Sequence, residues 1–138
     1  MQTIVVAYDA TDVSRRALDR GGDIAEAFGA QLIVTSIAPV GHSSSLGGMD
    51  PTDPPERRER QLEEAKSHLA ARGVQSETVV AIGNPDEAIV TVATEKGADL
   101  IVIGTRGLGR MARLLGQSVS DGVVKRAPCD VFLVRDED

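Results

Sequence analysis

Residues 101–126 read IVIGTRGLGRMARLLGQSVSDGVVKR, and the order of features within them decides the fold. An apolar run enters a loop with glycines at 104, 107, 109 and 116. Ser118, with Asp121 three positions on, then forms a capping-box pattern that opens a helix. Glycine lacks a Cβ, so backbone N–H groups can approach a ligand closely there. A helix start adds N–H groups and the positive end of a dipole. Together these suit an anion, most often phosphate, and Arg106, Arg110 and Arg113 bring positive charge to the same stretch. Glycines are also plain turn residues. GTRGLG is neither GxxxxGK[ST] nor a GxGxxG following a first strand, so its place in the fold must decide between these roles.

Working outward, residues 99–103 (DLIVI) are predicted as strand 4 and residues 129–135 (CDVFLVR), after Pro128, as strand 5. At the start of the chain, residues 2–8 (QTIVVAY) form strand 1, an apolar run suited to a strand buried on both faces. Asp9 follows its end, and Thr11 or Asp12 can cap the next helix, where Val13, Ala17, Ile24 and Phe28 recur at helical spacing before Gly29. Residues 31–37 are strand 2 and residues 76–82 strand 3. Between them, residues 38–52 form a loop rich in Gly, Ser and Pro. A charged helix follows, capped by Asp53-Pro54-Pro55-Glu56 and running to about Arg72. Asn84-Pro85-x-Glu87 caps the helix that carries Ile89, Val92 and Ala93 inward and stops at Gly97.

Strands and helices that alternate in this way predict an α/β fold, an open, Rossmann-like parallel sheet with helices on both faces. In the order 3-2-1-4-5, the winding reverses between strands 1 and 4, and ligands bind beyond the strand carboxyl ends at such a point. Asp9 and the Gly104 loop would then face each other across one crevice, a carboxylate opposite a phosphate cradle.

The composition is compatible with this. The 138 residues form one predicted domain, 1–138, and with only 2% aromatics the core must be built from Val, Ile, Leu and Ala. A net charge of −6 argues against general nucleic-acid binding, and no apolar run reaches the ~20 residues of a membrane span. Cys129 is the single cysteine, which fits a reducing cytoplasm and a structural buried thiol. His42 and His68 have no companions at metal-ligand spacing.

The chain resembles the universal stress proteins along essentially its whole length, in VVAYDATDVSRRAL (5–18), GNPDEAI (83–89), ADLIVIGTRGLG (98–109) and SVSDGVVKRAPCDVFLV (118–134). ATP-binding members of that family carry Gly-x2-Gly-x9-Gly-Ser/Thr after strand 4. Gly104, Gly107 and Ser118 match, but the third glycine position holds Gln117, with Gly116 one place early. The resemblance implies that Asp9, beside Ala7 and Tyr8, contacts the nucleotide near adenine or ribose, with the Ile37 backbone at the adenine edge. It places Gly104 and its neighbours Thr105, Arg106, Gly107 and Gly109, then Gly116, Gln117, Ser118, Val119 and Ser120, around ribose and phosphates. It further implies ATP or AMP as ligand, Mg²⁺ accompanying ATP, slow turnover if any, a stress-response role, and a homodimer through strand 5 (Val131–Val134). The alternative is a nucleotide-free dimeric interaction module in which Gln117 closes the phosphate site. No catalytic constellation such as GxSxG or HExxH is present.

Overall fold

A computed structural model of the chain describes residues 1–38, 55–105 and 119–136. In chain order the elements are β1 (Thr3–Ala7), α1 (Asp12–Phe28), β2 (Gln31–Ala38), α2 (Pro55–Ala71), β3 (Ser76–Ile82), α3 (Pro85–Lys96), β4 (Leu100–Thr105), α4 (Val119–Arg126) and β5 (Asp130–Arg135). The five strands form one sheet in the order β3-β2-β1-β4-β5, and every pairing is parallel. The expected architecture is therefore the observed one. The loop expected at 38–52 and the cap at Asp53 and Pro54 lie outside the described residues, apart from Ala38, which ends β2.

The sheet is buried on both sides because its central strands are apolar at consecutive positions rather than alternate ones. Ile4 and Val6 of β1 and Leu32 and Val34 of β2 pack under Leu18 of α1 and Leu62 and Leu69 of α2. Val5, Ile33 and Ile101 face the other way, against Ile89 and Val92 of α3 and Val123 of α4. Two of the described helices thus cover each face, and the change of face falls between β1 and β4.

Helix ends follow local chemistry. Thr11 is the N-cap of α1 and accepts from the Ser14 amide, and Gly29 and Gly97 close α1 and α3 in the left-handed conformation at φ 64°. Asn84 departs from expectation. It occupies the N-cap position of α3 but makes no capping bond; the Glu87 amide donates instead to Asp86 Oδ1 at 2.9 Å, and the Asn84 side-chain amide donates to Glu87 Oε2 at 3.3 Å. Phe28 also departs, being 61% exposed, although Ala25 in the same last turn of α1 is buried. β5 is an edge strand, as is β3, and only Val134 of β5 is buried. The carboxyl end of α2 is tied to α1. Just past its end, Arg72 reaches Asp23 and Glu26 of α1 at 2.5 and 2.9 Å, and His68 meets Asp19 at 2.7 Å.

The N-terminal edge is pinned by Asp99, whose Oδ2 accepts from the amides of Gln2 and Thr3 at 2.7 and 3.0 Å. These bonds, Gln2 first, hold its carboxyl below the usual carboxylate range. A carboxyl depressed in the folded state stabilises the fold above its unfolded value of about 3.9, and that contribution disappears as pH falls through the lowered value. The stability gap between wild type and Asp99→Asn is therefore expected to be constant from pH 7 to about 5 and to close below about pH 4. Urea midpoints across that range test this. A gap unchanged down to about pH 2 would mean that the carboxylate charge is irrelevant.

Candidate functional site

At the carboxyl end of β1, the chain turns on a compact network. Thr11 donates to Asp9 Oδ1 through both its amide, at 3.1 Å, and its hydroxyl, at 2.5 Å. The Asp9 amide in turn donates to Ser14 Oγ at 3.2 Å, and Ser14 Oγ donates to the Thr11 carbonyl at 3.0 Å. Ala10, between the two partners, takes φ 65°, the one positive φ among the described non-glycine residues. For a residue with a Cβ this costs about 1–2 kcal/mol, offset here by the hydrogen bonds around it. Asp9 is thus an exposed carboxylate held in a fixed orientation at the entry to α1. A carboxylate accepts about four hydrogen bonds, so the turn and a ligand hydroxyl are compatible.

The opposite wall differs from expectation. Gly104 and Thr105 do not open the loop. They are the last residues of β4, in register with Val134 and Arg135 of β5. A Cβ on Gly104 would stand 2.8 Å from Val13 Cγ2 and 3.0 Å from the Val13 carbonyl oxygen. The glycine here admits the first turn of α1 onto β4, and that turn carries the Asp9 network. Asp9 and Gly104 are therefore joined through Thr11 and Val13. Arg16, one turn further along α1, donates to the Arg135 carbonyl at 3.1 Å and ties α1 to β5 as well.

Around this crevice, Ala7 and Ile37 are half-buried, and Tyr8 is buried with its amide donating to the Thr35 carbonyl at 2.9 Å. Thr35 Oγ1 donates to the Val79 carbonyl at 2.9 Å, as a locally satisfied sheet hydroxyl does. The buried Ser36 hydroxyl, in contrast, has no partner among the described residues, because it points to the apolar side shared with Leu32 and Val34. Val119 is exposed and Ser120 buried at the start of α4. Arg106, Gly107, Gly109, Gly116, Gln117 and Ser118 lie outside the described residues.

What sequence inspection missed is the contact that seats α4, Gly122 against Asp86. A glycine inside a helix costs about 1 kcal/mol relative to alanine, so Gly122 was itself a signal of close approach. Cys129 is half-buried, and burial pushes its thiol up, with Asp130 and Asp99 adding to the effect, so it stays protonated at neutral pH. Among the described residues no three His, Cys, Asp or Glu side chains gather at a metal-binding distance. Nor is any described helix long and apolar enough to cross a membrane. A shallow basin of about 560 Å³ lies at the other end of the sheet, among Glu26, Val74 and Glu77. It is remote from the crevice, and its carboxylates are engaged, Glu26 with Arg72 at 2.9 Å and Glu77 with Lys96 at 2.5 Å.

A doubly wound parallel sheet with a fixed carboxylate at its switch point defines a small α/β domain, a fold class in which ligands bind beyond the strand carboxyl ends at that point. Comparison with known proteins makes this specific. The model of the universal stress protein family matches residues 1–135. A universal stress protein of Thermus aquaticus is 39% identical over 97% of this chain and 98% of its own length. Two solved structures share the fold. A universal stress protein crystallised in complex with cAMP has a TM-score of 0.79 and 34% identity, covering 96% of each chain. One from Archaeoglobus fulgidus in complex with dAMP has a TM-score of 0.77 and 26% identity, covering 97% of this chain and 98% of that one. The chain belongs to the universal stress protein family.

Proposed function

We propose that the protein is a cytoplasmic stress-response regulator of one domain, residues 1–138, that binds an adenine nucleotide, ATP or AMP, between the carboxyl ends of β1 and β4. The observation that carries this is the Asp9 carboxylate, fixed by Thr11 next to Gly104 at the point where the sheet winding reverses. Asp9 accepts from a ribose hydroxyl, flanked by Ala7 and Tyr8, and the Ile37 backbone meets the adenine edge. Gly104, Thr105, Arg106, Gly107, Gly109, Gly116, Gln117, Ser118, Val119 and Ser120 surround ribose and phosphates. The relatives crystallised with cAMP and dAMP support a ligand with a single phosphate. Mg²⁺ would arrive on the triphosphate of ATP, which suits an ion that keeps most of its water and bridges phosphates.

Calorimetric titration with AMP and with ATP plus Mg²⁺ tests this, together with melting curves. A ligand at one hundred times its Kd stabilises the fold by about 2.7 kcal/mol, which raises Tm by several degrees. Asp9→Ala is expected to weaken AMP about tenfold or more, the worth of a charge-assisted hydrogen bond. No heat and no Tm shift at millimolar nucleotide would remove the proposal. ATP binding by Gln117→Gly but not by wild type would instead make Gln117 the closure of the site, and the protein a nucleotide-free interaction module.

We also propose a homodimer through β5, Val131–Val134. Phe132 and Leu133 are 39% and 42% exposed on this edge strand, where unpaired backbone groups invite a second chain. Sedimentation equilibrium should give twice the chain mass, and a monomer at high concentration would refute it.

A further inference from the structure

The α4 wall of the crevice is seated by α3. Gly122 closes the first turn of α4, and a Cβ there would overlap Asp86 Oδ2 and lie 2.8 Å from both Asp86 Cβ and Cγ. The Asp86 side chain, second in α3, fills the notch that this glycine leaves. It is held from both sides. Oδ1 accepts from the Glu87 amide at 2.9 Å, and Oδ2 accepts from Arg126 Nη1 at 2.9 Å. Arg126 also lies 3.5 Å from Glu87 Oε1. Since Arg126 is the last residue of α4, one carboxylate grips α4 at its first turn and at its last. Between these contacts, Val123 is fully buried with Ile89 and Val92 of α3.

We infer that Asp86, seated against Gly122 and clamped by Arg126, is a positioning residue that sets the height of the α4 amino end, and with it the phosphate affinity of the crevice. This rests on the nucleotide site proposed above. The first-turn amides of a helix have no intrahelical acceptor, and they bind an anion only at hydrogen-bond distance, so a small shift of α4 is felt at the phosphate. Asp9, which holds the ribose hydroxyl, and Ile37, at the adenine edge, lie at the ends of β1 and β2 and do not move with α4. The device therefore discriminates a nucleotide from its nucleoside.

Titration of AMP and of adenosine into four proteins tests this. Gly122→Ala forces α4 away from Asp86, and AMP is expected to weaken about tenfold, the worth of one charge-assisted hydrogen bond, with adenosine within about twofold of wild type. Asp86→Ala, which removes the grip, should show the same selective loss. In the double variant Asp86→Gly with Gly122→Ala, which removes the residue-86 Cβ that would stand 2.8 Å from the added methyl as well as the carboxylate, the methyl enters the vacated notch, and AMP affinity should recover relative to Gly122→Ala alone. Recovery also shows that the single variant's loss is not misfolding. Equal loss of AMP and adenosine in Gly122→Ala, an unchanged AMP affinity, or no recovery in the double variant overturns the inference while the nucleotide site stands. A wild type that binds neither ligand overturns the nucleotide site itself, and this inference with it.

Discussion

Valine in place of Gly104 is expected to destabilise the fold by about 1–3 kcal/mol and to abolish ordered packing of α1 on β4. The cause is contact with backbone as well as side chain. The added Cβ alone would stand 2.8 Å from Val13 Cγ2, 3.0 Å from the Val13 carbonyl oxygen and 3.1 Å from its carbon. A flexible side chain could yield, but the main chain of a first helical turn cannot move without breaking the bonds from Thr11 to Asp9. Urea denaturation of Gly104→Ala and Gly104→Val, each with and without Val13→Ala, separates the two contacts. Removing the Val13 side chain should recover only part of the loss, since the carbonyl remains. If Gly104→Ala instead leaves stability intact and weakens only nucleotide binding, the glycine serves ligand approach and not helix packing.

Ile101→Ala is expected to cost about 2–5 kcal/mol, out of a total stability of about 5–15 kcal/mol for a domain of this kind. Ile101 is fully buried in β4, in register with Val5 of β1 and Val131 of β5, and packs among Ile89, Val92 and Val123 of the helices on that face. Truncation leaves a cavity where the sheet meets both α3 and α4. Aromatic residues large enough to collapse into it are nearly absent from this chain, which has two Phe, one Tyr and no Trp. A fall in the urea midpoint at unchanged slope is the expected signature. A loss below about 1 kcal/mol would mean that the helices close over the gap, and that the face is less tightly packed than its burial indicates.

Much of the fold could be read from residue patterns because its signals are local. The apolar runs at Ile4–Val6, Leu32–Val34 and Leu100–Ile103, each followed by a polar turn and a helical period, identify buried parallel strands. Thr11, Gly29 and Gly97 mark helix ends through their own backbone and side-chain chemistry. Asp9 at the end of strand 1 was likewise visible, since a single polar residue terminates an apolar run. Phe28 was misplaced because helical spacing gives a face but not the length over which that face is covered, and coverage ends before Phe28. Asn84 fitted a capping pattern, yet the Glu87 amide went to Asp86 Oδ1, a competition between two local acceptors that spacing alone does not resolve.

The chain order of apolar runs, caps and glycines by itself determined a parallel α/β sheet and a carboxylate after its first strand, because these follow from periodicity and short connections, whereas the 3-2-1-4-5 order that makes this a switch point was a condition the structure met. Only the tertiary structure decided what the glycines are for. Gly104 proved to be a strand residue that admits Val13, and Gly122 a helix residue that admits Asp86, 36 positions earlier in the chain. The physical reason is that a missing Cβ signals close approach without naming what approaches, and the neighbour is supplied by packing between elements that are distant in sequence.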